Sequence, residues 1–185
     1  MKLFRSARFA LALVVFSAAP LAAQQAPPAP KPGPEHEVFK MDVGTWDATV
    51  EFSMAPGAPP STSKGVEVNT LSCGGLCLIT VFKGEAMGSP FVGHGVMTWD
   101  AGKKKYTGSW VDSMSMGLAL MESTYDPATK KWSGWMEGPD ATGTVMKTRN
   151  TVDVKDANNR VMTAYATGPD GKEMQVMKIT YVRNK

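Results

Sequence analysis

Asp112 and Glu122 are the acidic residues best placed for acid/base chemistry. Each shares one face of a predicted strand with apolar residues, Asp112 with Tyr106, Trp110 and Met114, and Glu122 with Leu118 and Leu120. Both carboxylates are therefore candidates for the interior of the fold. A carboxylate inside a protein needs a hydrogen-bond or ionic partner. Two interpretations stay open here, a structural hydrogen bond or an acid/base pair in an enzyme. The chain lacks the nucleophile-elbow, zinc-protease and phosphate-loop motifs, and we predict no catalytic residue.

Cys73 and Cys77 are the two cysteines of the chain. In an oxidising compartment an even pair of cysteines is usually bridged, so we predict a structural disulfide. The alternative is a redox or metal-binding pair. The three-residue gap differs from the two-residue gap of the redox motif, and no other Cys or His lies near in sequence.

His94 lies on a predicted strand between Gly93 and Gly95, where an axial haem ligand would have space if its ring faced a cavity. A structural or exposed histidine is the alternative that we favour. Met114 and Met116 form a Met-x-Met pair whose thioethers suit copper(I), but methionine is also a pliable filler of apolar space. We predict a packing role for these methionines, no metal site and no cofactor.

The first 23 residues have the pattern of a secretory signal peptide. Lys2, Arg5 and Arg8 flank the start of an apolar run that ends in small residues, and we predict cleavage after Ala23. The run is shorter than the roughly 20 apolar residues of a spanning helix, so we predict no membrane span. A cleaved signal peptide indicates a periplasmic or secreted protein.

Residues 24–33 are rich in Ala and Pro, a composition that cannot bury apolar area, and we predict a disordered tether there. Residues 34–185 have the length of one domain. The full chain has a formal net charge of +3, which the three basic residues of the signal peptide supply. The mature chain is therefore neutral, and we predict no nucleic-acid partner.

A short helix at 34–41 and ten strands are predicted in this domain. The first strand is the most regular, because Trp46, Ala48, Val50 and Phe52 point to one face and polar residues point to the other. The other strands are predicted at 62–71, 78–83, 91–99, 105–114, 118–125, 131–137, 144–155, 160–167 and 174–183.

The segments between the strands have the composition of tight turns. Asp100 and Asp126 open two turns of the same pattern, in which an aromatic residue and Asp precede lysines and a second aromatic residue. Strands at a spacing of roughly 8 to 12 residues, joined by hairpin turns, favour an antiparallel up-and-down barrel. Closure of the barrel would hide the sheet edges.

Six segments spread over the domain form a family pattern: Pro34–His36, Val43–Asp47, Pro56–Gly57, Trp110–Met114, Thr124–Asp126 and Thr167–Glu173. Together they resemble the bacterial domain-of-unknown-function family 1579 (DUF1579). The resemblance implies a calycin-like, lipocalin-like β-barrel. It implies no activity, because the family is uncharacterised. The cysteine pair and His94 depart from the family pattern.

Gly44 and Trp46 form a Gly-x-Trp that resembles the opening motif of lipocalins, in which an arginine on the last strand packs over the tryptophan. The resemblance implies this role for Arg183. A guanidinium over an indole face contributes about 0.5 to 2 kcal/mol. We therefore predict that Trp46 and Arg183 are structural residues at the closed end of the barrel.

Gly93, Gly95 and Gly108 predict room inside the barrel, beside aromatic and methionine side chains. The predicted ligand-binding residues are Met97, Trp99, Tyr106, Trp110, Asp112 and Met114. This lining predicts a small apolar or aromatic ligand, with Asp112 or Tyr106 fixing its polar end.

A hydrophobic-ligand-binding barrel is thus the leading hypothesis. The alternatives are a filled barrel with a structural or partner-binding role in the envelope, an enzyme that uses Asp112 and Glu122, and a haem binder that uses His94. The substitution Asp112→Asn distinguishes binder from enzyme, because a binder would keep its fold and an enzyme would lose turnover.

Overall fold

The structure is a computed structural model of the chain that describes residues 28–53, 59–168 and 170–185. The predicted signal peptide, the first part of the predicted tether and the segment Pro56–Gly57 lie outside these ranges. Within them, no helix combines the length and the apolar character that crossing a membrane requires.

The described residues form one short helix and ten strands. Helix α1 spans Pro34–Glu37 and continues as a 3-10 turn over Val38–Met41, and a second 3-10 turn spans Cys73–Gly75. The strands are β1 (Gly44–Phe52), β2 (Ser61–Ser72), β3 (Cys77–Ala86), β4 (Ser89–Asp100), β5 (Lys105–Asp112), β6 (Ala119–Asp126), β7 (Lys131–Pro139), β8 (Val145–Val154), β9 (Asn159–Thr167) and β10 (Glu173–Arg183).

The ten strands form a closed antiparallel barrel in which each strand pairs with its neighbours in sequence, and β1 pairs with β10. Trp46 lies opposite Arg183 across the closing pair. The predicted all-β meander barrel with a short N-terminal helix is confirmed.

Short turns alternate between the two ends of the barrel. We call the end that carries α1 the helix end, and the end with the segments 87–88, 113–118 and 140–144 the far end. At the helix end, Asp100 accepts a hydrogen bond from Lys103 N (2.9 Å) and Asp126 accepts one from Ala128 N (2.9 Å). In both turns the opening Asp accepts a backbone hydrogen bond, from the third residue after Asp100 and from the second residue after Asp126.

The side chains that alternate along β1 fill the interior. Trp46 and Ala48 are both 2% exposed, and they pack with Phe82, Ile179 and Tyr181 in one buried cluster. A second cluster at the helix end gathers around the fully buried Phe39 of the 3-10 turn. The short helical segment therefore closes one end of the barrel through an aromatic side chain.

The middle of the barrel is filled by aromatic rings that lie on glycines. The Trp110 indole lies against Gly93 and Gly95, where a methyl group at either glycine would crowd the ring. In the same way, the Phe82 ring lies on Gly65. The room predicted beside Gly93 and Gly95 is thus occupied by Trp110 itself, and the open space of this interior lies nearer the far end.

Candidate functional site

A pocket of about 110 Å³ opens at the far end, between the ends of strands β5 to β8. Its lining combines an indole, two thioethers and small side chains with two carboxylates. The lining residues include Trp110, Asp112, Ser115, Ala119, Met136, Pro139, Asp140, Met146 and Thr148. Two of them, Trp110 and Asp112, belong to the ligand-binding set predicted from the sequence.

Asp112 is held by donors from its own strand and loop. It accepts hydrogen bonds from the Trp110 indole Nε1 (2.9 Å), the Met114 backbone N (2.8 Å) and the Ser115 hydroxyl (3.0 Å). The carboxylate thereby fixes both the orientation of the indole and the start of the loop that follows β5. This geometry corresponds to the structural hydrogen-bond role, one of the two interpretations considered for this residue.

Asp140 is bonded in the same local manner. It accepts hydrogen bonds from the backbone N of Thr142 (2.8 Å), the Thr142 hydroxyl (2.7 Å) and the backbone N of Thr144 (3.0 Å). These bonds, that of the Thr142 hydroxyl first, hold the pKa of the Asp140 carboxyl below its usual value. Because both carboxylates are hydrogen-bonded to residues of their own strand ends and loops, the surface of the pocket that remains for a ligand is mainly apolar.

The other predicted ligand residues lie away from this pocket. Met97, Trp99 and Tyr106 belong to the cluster around Phe39 at the helix end. The Tyr106 hydroxyl donates to the Glu35 carbonyl (2.9 Å). The predicted set therefore divides between the two ends of the barrel.

Tyr106 holds the helix instead of a ligand. Its ring packs edge-on against Phe39 (5.6 Å between centroids) and Trp132 (4.7 Å), and burial raises the pKa of its hydroxyl. Met114 lies in the loop after β5, half-buried, where its backbone bonds to Asp112. Neither Tyr106 nor Met114 is among the residues that line the far-end pocket.

Glu122 lies on the outer face of the barrel, which corrects its assignment as an inward carboxylate. It forms ion pairs with Lys103 (2.7 Å) and Lys105 (3.0 Å). These hydrogen bonds, that of Lys103 first, lower the pKa of Glu122. Asp112 and Glu122 therefore face opposite sides of the sheet, and the geometry gives no acid/base pair.

His94 is also on the outer face, exposed, between the exposed Val92 and Val96. A histidine that bound haem inside the barrel would have to point inward, so the position of His94 does not support the haem hypothesis. Cys73 and Cys77 are joined in a disulfide, as predicted. In the described ranges, no three His, Cys, Asp or Glu side chains converge as a metal site would require.

A buried ionic cluster at the helix end was not foreseen from the sequence. Arg160 donates from its two terminal nitrogens to Asp42 and Glu67, and all three residues are buried. Asn69 donates to Glu67 (2.7 Å), and Thr80 donates to Asn69 (2.6 Å). These bonds link the 3-10 turn to β2, β3 and β9.

Trp46 lies between two arginines in this region. The guanidinium of Arg160 is 4.2 Å from the indole, and that of Arg183 is 4.1 Å from it. The predicted stacking of Trp46 with Arg183 is present. The second contact, with Arg160, was not predicted. The indole Nε1 donates to the Asp42 carbonyl (2.9 Å), which fixes the ring between the two cations.

Burial shifts the pKa of two acidic groups in this region, Asp42 and Tyr181. It raises the pKa of Asp42, and the neighbouring Glu67 acts in the same direction, whereas Arg160 opposes both. Burial and Glu67 likewise raise the pKa of Tyr181 well above its usual value. Perturbed groups of this kind occur in structural networks as well as in functional sites.

A crevice of about 530 Å³ borders this cluster, lined by Lys40, Tyr125, Lys130, Asn158, Arg160 and Arg183 among others. It is larger than the far-end pocket, but its floor is made of groups that bind one another. Arg183 donates to the carbonyls of Met41 (2.7 Å), Val43 (2.5 Å) and Ala157 (2.9 Å). We therefore assign a structural role to the helix end and select the far-end pocket as the candidate site.

Comparison with known proteins identifies the family without naming an activity. A redesigned β-barrel of known structure is 15% identical to the chain, with 80% of this chain and 95% of that chain covered and a TM-score of 0.41. No protein with a curated description is similar to the chain in sequence. Residues 31–183 match the family described as protein of unknown function (DUF1579). The chain belongs to the DUF1579 family.

Proposed function

We propose that the protein binds a small apolar or aromatic molecule in the far-end pocket. The observation that carries this proposal is an apolar-walled pocket whose two carboxylates are already bonded within their own loops. The Trp110 indole, Ala119 and the Met136 and Met146 thioethers are left to contact a ligand. Apolar pockets with a few fixed polar groups are typical of small-molecule sites.

The size of the pocket limits the ligand. An engineered apolar cavity of about 150 Å³ binds benzene, and the far-end pocket has about 110 Å³. A single ring, or the end of a longer molecule, is therefore the expected occupant. Methionine side chains are flexible, so Met136 and Met146 can adapt to small differences in shape.

We also propose that the protein works outside the cytoplasm, in the periplasm or after secretion. The Cys73–Cys77 disulfide supports this proposal, because disulfides persist mainly in oxidising compartments. The basic and apolar pattern of the first 23 residues supports it too.

Titration with toluene, followed by two-dimensional NMR of the protein, tests the binding proposal. We expect saturable shifts of the Trp110 indole N–H and the Ala119 amide. Ala119→Leu fills the pocket and should weaken toluene binding at least tenfold. The control Val111→Leu also enlarges an aliphatic side chain, but on the exposed outer face of β5, and should leave binding unchanged. Equal binding by both variants, or no saturable binding by the natural chain, contradicts the proposal.

A filled barrel that binds no small molecule is the second candidate. The packing of the Trp110 ring onto Gly93 and Gly95 favours it, because this ring takes the space that a ligand in the middle of the barrel would need. The toluene titration separates the two candidates directly.

A further inference from the structure

Asn150 lies inside the barrel, below the far-end pocket. Thr148 of β8 lines the pocket, and Asn150 is the next inward residue of that strand, one step further from the far end. Its partners on the neighbouring strands are Gly134 of β7 and Ala164 of β9. Neither partner has a polar side chain.

The amide oxygen of Asn150 is buried, and no donor of the described residues reaches it. Buried acceptors in folded proteins are nearly always paired, and leaving one unpaired destabilises the fold. A leucine at this position would carry no unpaired polar atom. An amide retained at this depth is therefore a specific feature of the interior.

We propose that Asn150 recognises the polar end of the ligand, an inference that rests on the binding function proposed above. A ligand in the far-end pocket would direct its leading end to Asn150, which lies one inward position beyond the pocket-lining Thr148. The unpaired oxygen accepts a hydrogen bond, so the leading end carries an O–H or N–H donor. The ligand class is thus a small amphipathic molecule, with an apolar body near the far end and one donor group directed inward.

The matched probes phenol and toluene test this proposal, since they have similar size and differ in one hydroxyl. The measured quantity is the ratio of the toluene Kd to the phenol Kd. In Asn150→Leu we expect this ratio to fall about tenfold, because phenol loses its partner and toluene does not. A second variant, Thr148→Val, removes the hydroxyl of a pocket-lining residue one inward position nearer the far end, and should lower the ratio less than Asn150→Leu does.

The outcomes separate this inference from the function on which it rests. If both probes bind and the ratio is the same in Asn150→Leu as in the natural chain, the recognition role of Asn150 is wrong and the binding function stands. If Thr148→Val lowers the ratio as much as Asn150→Leu does, the selectivity is not due to Asn150. If neither probe binds the natural chain, both proposals are wrong.

Thermal unfolding without ligand gives a second, independent test. Asn150→Leu removes an unpaired buried polar group, so its Tm should rise by about 2 to 4 °C. A lower Tm would show that the amide makes stabilising hydrogen bonds in the ligand-free protein, and that result would overturn the proposal.

Discussion

Asp112 shapes the wall of the candidate pocket. Its carboxylate accepts hydrogen bonds from the Trp110 indole, the Met114 amide and the Ser115 hydroxyl. Hydrogen bonds to a charged group contribute more than those between neutral groups. The indole that separates the filled middle of the barrel from the pocket is therefore positioned by a residue that need not touch the ligand.

Replacing this carboxylate should loosen the pocket wall. We expect Asp112→Ala to lower the free energy of unfolding by about 2 kcal/mol, because three donors lose a charged acceptor. Asp112→Asn keeps one acceptor oxygen and should lose about half as much. Urea denaturation measures both, and a change below about 0.5 kcal/mol in Asp112→Ala would contradict the assigned role.

At the residue scale, the sequence predicted the site only in part. Trp110 and Asp112 alternate with polar and exposed residues, which placed them correctly inside. Glu122 was misassigned because the leucines with which it was grouped, Leu120 of β6 and Leu118 of the preceding segment, are more than half exposed. Glu67 was missed because the valines on either side of it are the outward residues of β2, at 37% and 39% exposed. Apolar alternation alone cannot reveal a buried ionic cluster.

The short helix is attached to the barrel by polar contacts as well as by Phe39. Tyr106 donates to the Glu35 carbonyl, Trp46 donates to the Asp42 carbonyl, and Arg160 binds the Asp42 side chain. These contacts hold the segment from Pro34 to Asp42 across the helix end.

The carboxyl of Asp42 makes this attachment depend on pH. Its pKa in the unfolded chain is near 3.8 and is raised by folding. The folded state therefore binds the proton more tightly, and the stabilisation from protonation is complete below pH 3.8 and is lost as the pH rises through the raised value. Asp42→Asn should consequently be less destabilising at pH 7 than at pH 3.5.

Urea denaturation at the two pH values measures this difference. The control is Asp47→Asn, which changes an exposed carboxyl on the outer face of β1 and should show no comparable trend. A cost of Asp42→Asn that is larger at pH 7 than at pH 3.5 would contradict the raised pKa.

Elements were easier to predict than side-chain orientations. Asp-capped turns and glycine-rich turns gave the positions of the strands, because these residues bind their own backbone or adopt positive φ, as Gly74 and Gly75 do at 67° and 91°. The strand ends differed from the prediction by a few residues, because backbone pairing continues beyond the residues that show the apolar/polar alternation. The β4 strand, for example, begins at Ser89 rather than at residue 91.

Closure of the barrel depends on the contacts between the chain's two ends. Arg183 stacks on Trp46 and donates to the carbonyls of Met41, Val43 and Ala157. A planar guanidinium can donate hydrogen bonds to three acceptors and stack on an indole face at the same time, whereas an ammonium group cannot. The same arginine therefore connects β10 with β1, the 3-10 turn and the segment between β8 and β9.

Arg183→Lys keeps the charge and removes this geometry. We expect the free energy of unfolding to fall by about 2 to 3 kcal/mol. Arg149→Lys is the matched control, because Arg149 also stacks on an aromatic ring, Tyr165, and binds a carboxylate, but at an exposed position. This control should lose less than about 1 kcal/mol. Similar losses in the two variants would show that Arg183 has no special role in closure.

The fold of the whole molecule was predictable because hairpin turns leave few topologies for ten sequential strands. The degree to which the barrel is filled was not predictable, since the same glycines can border a cavity or an aromatic ring. Gly93 and Gly95 illustrate this ambiguity, which the Trp110 side chain resolves.

The pairing of β1 with β10 has a consequence for synthesis of the chain. The other strand pairs join neighbours in sequence, but 140 residues separate Val43 from Arg183. At typical rates of translation, roughly 7 to 28 s pass between the appearance of these two residues. Until β10 is available, one side of β1 has no strand to bind, so an incomplete barrel exposes a sheet edge that the finished barrel does not have.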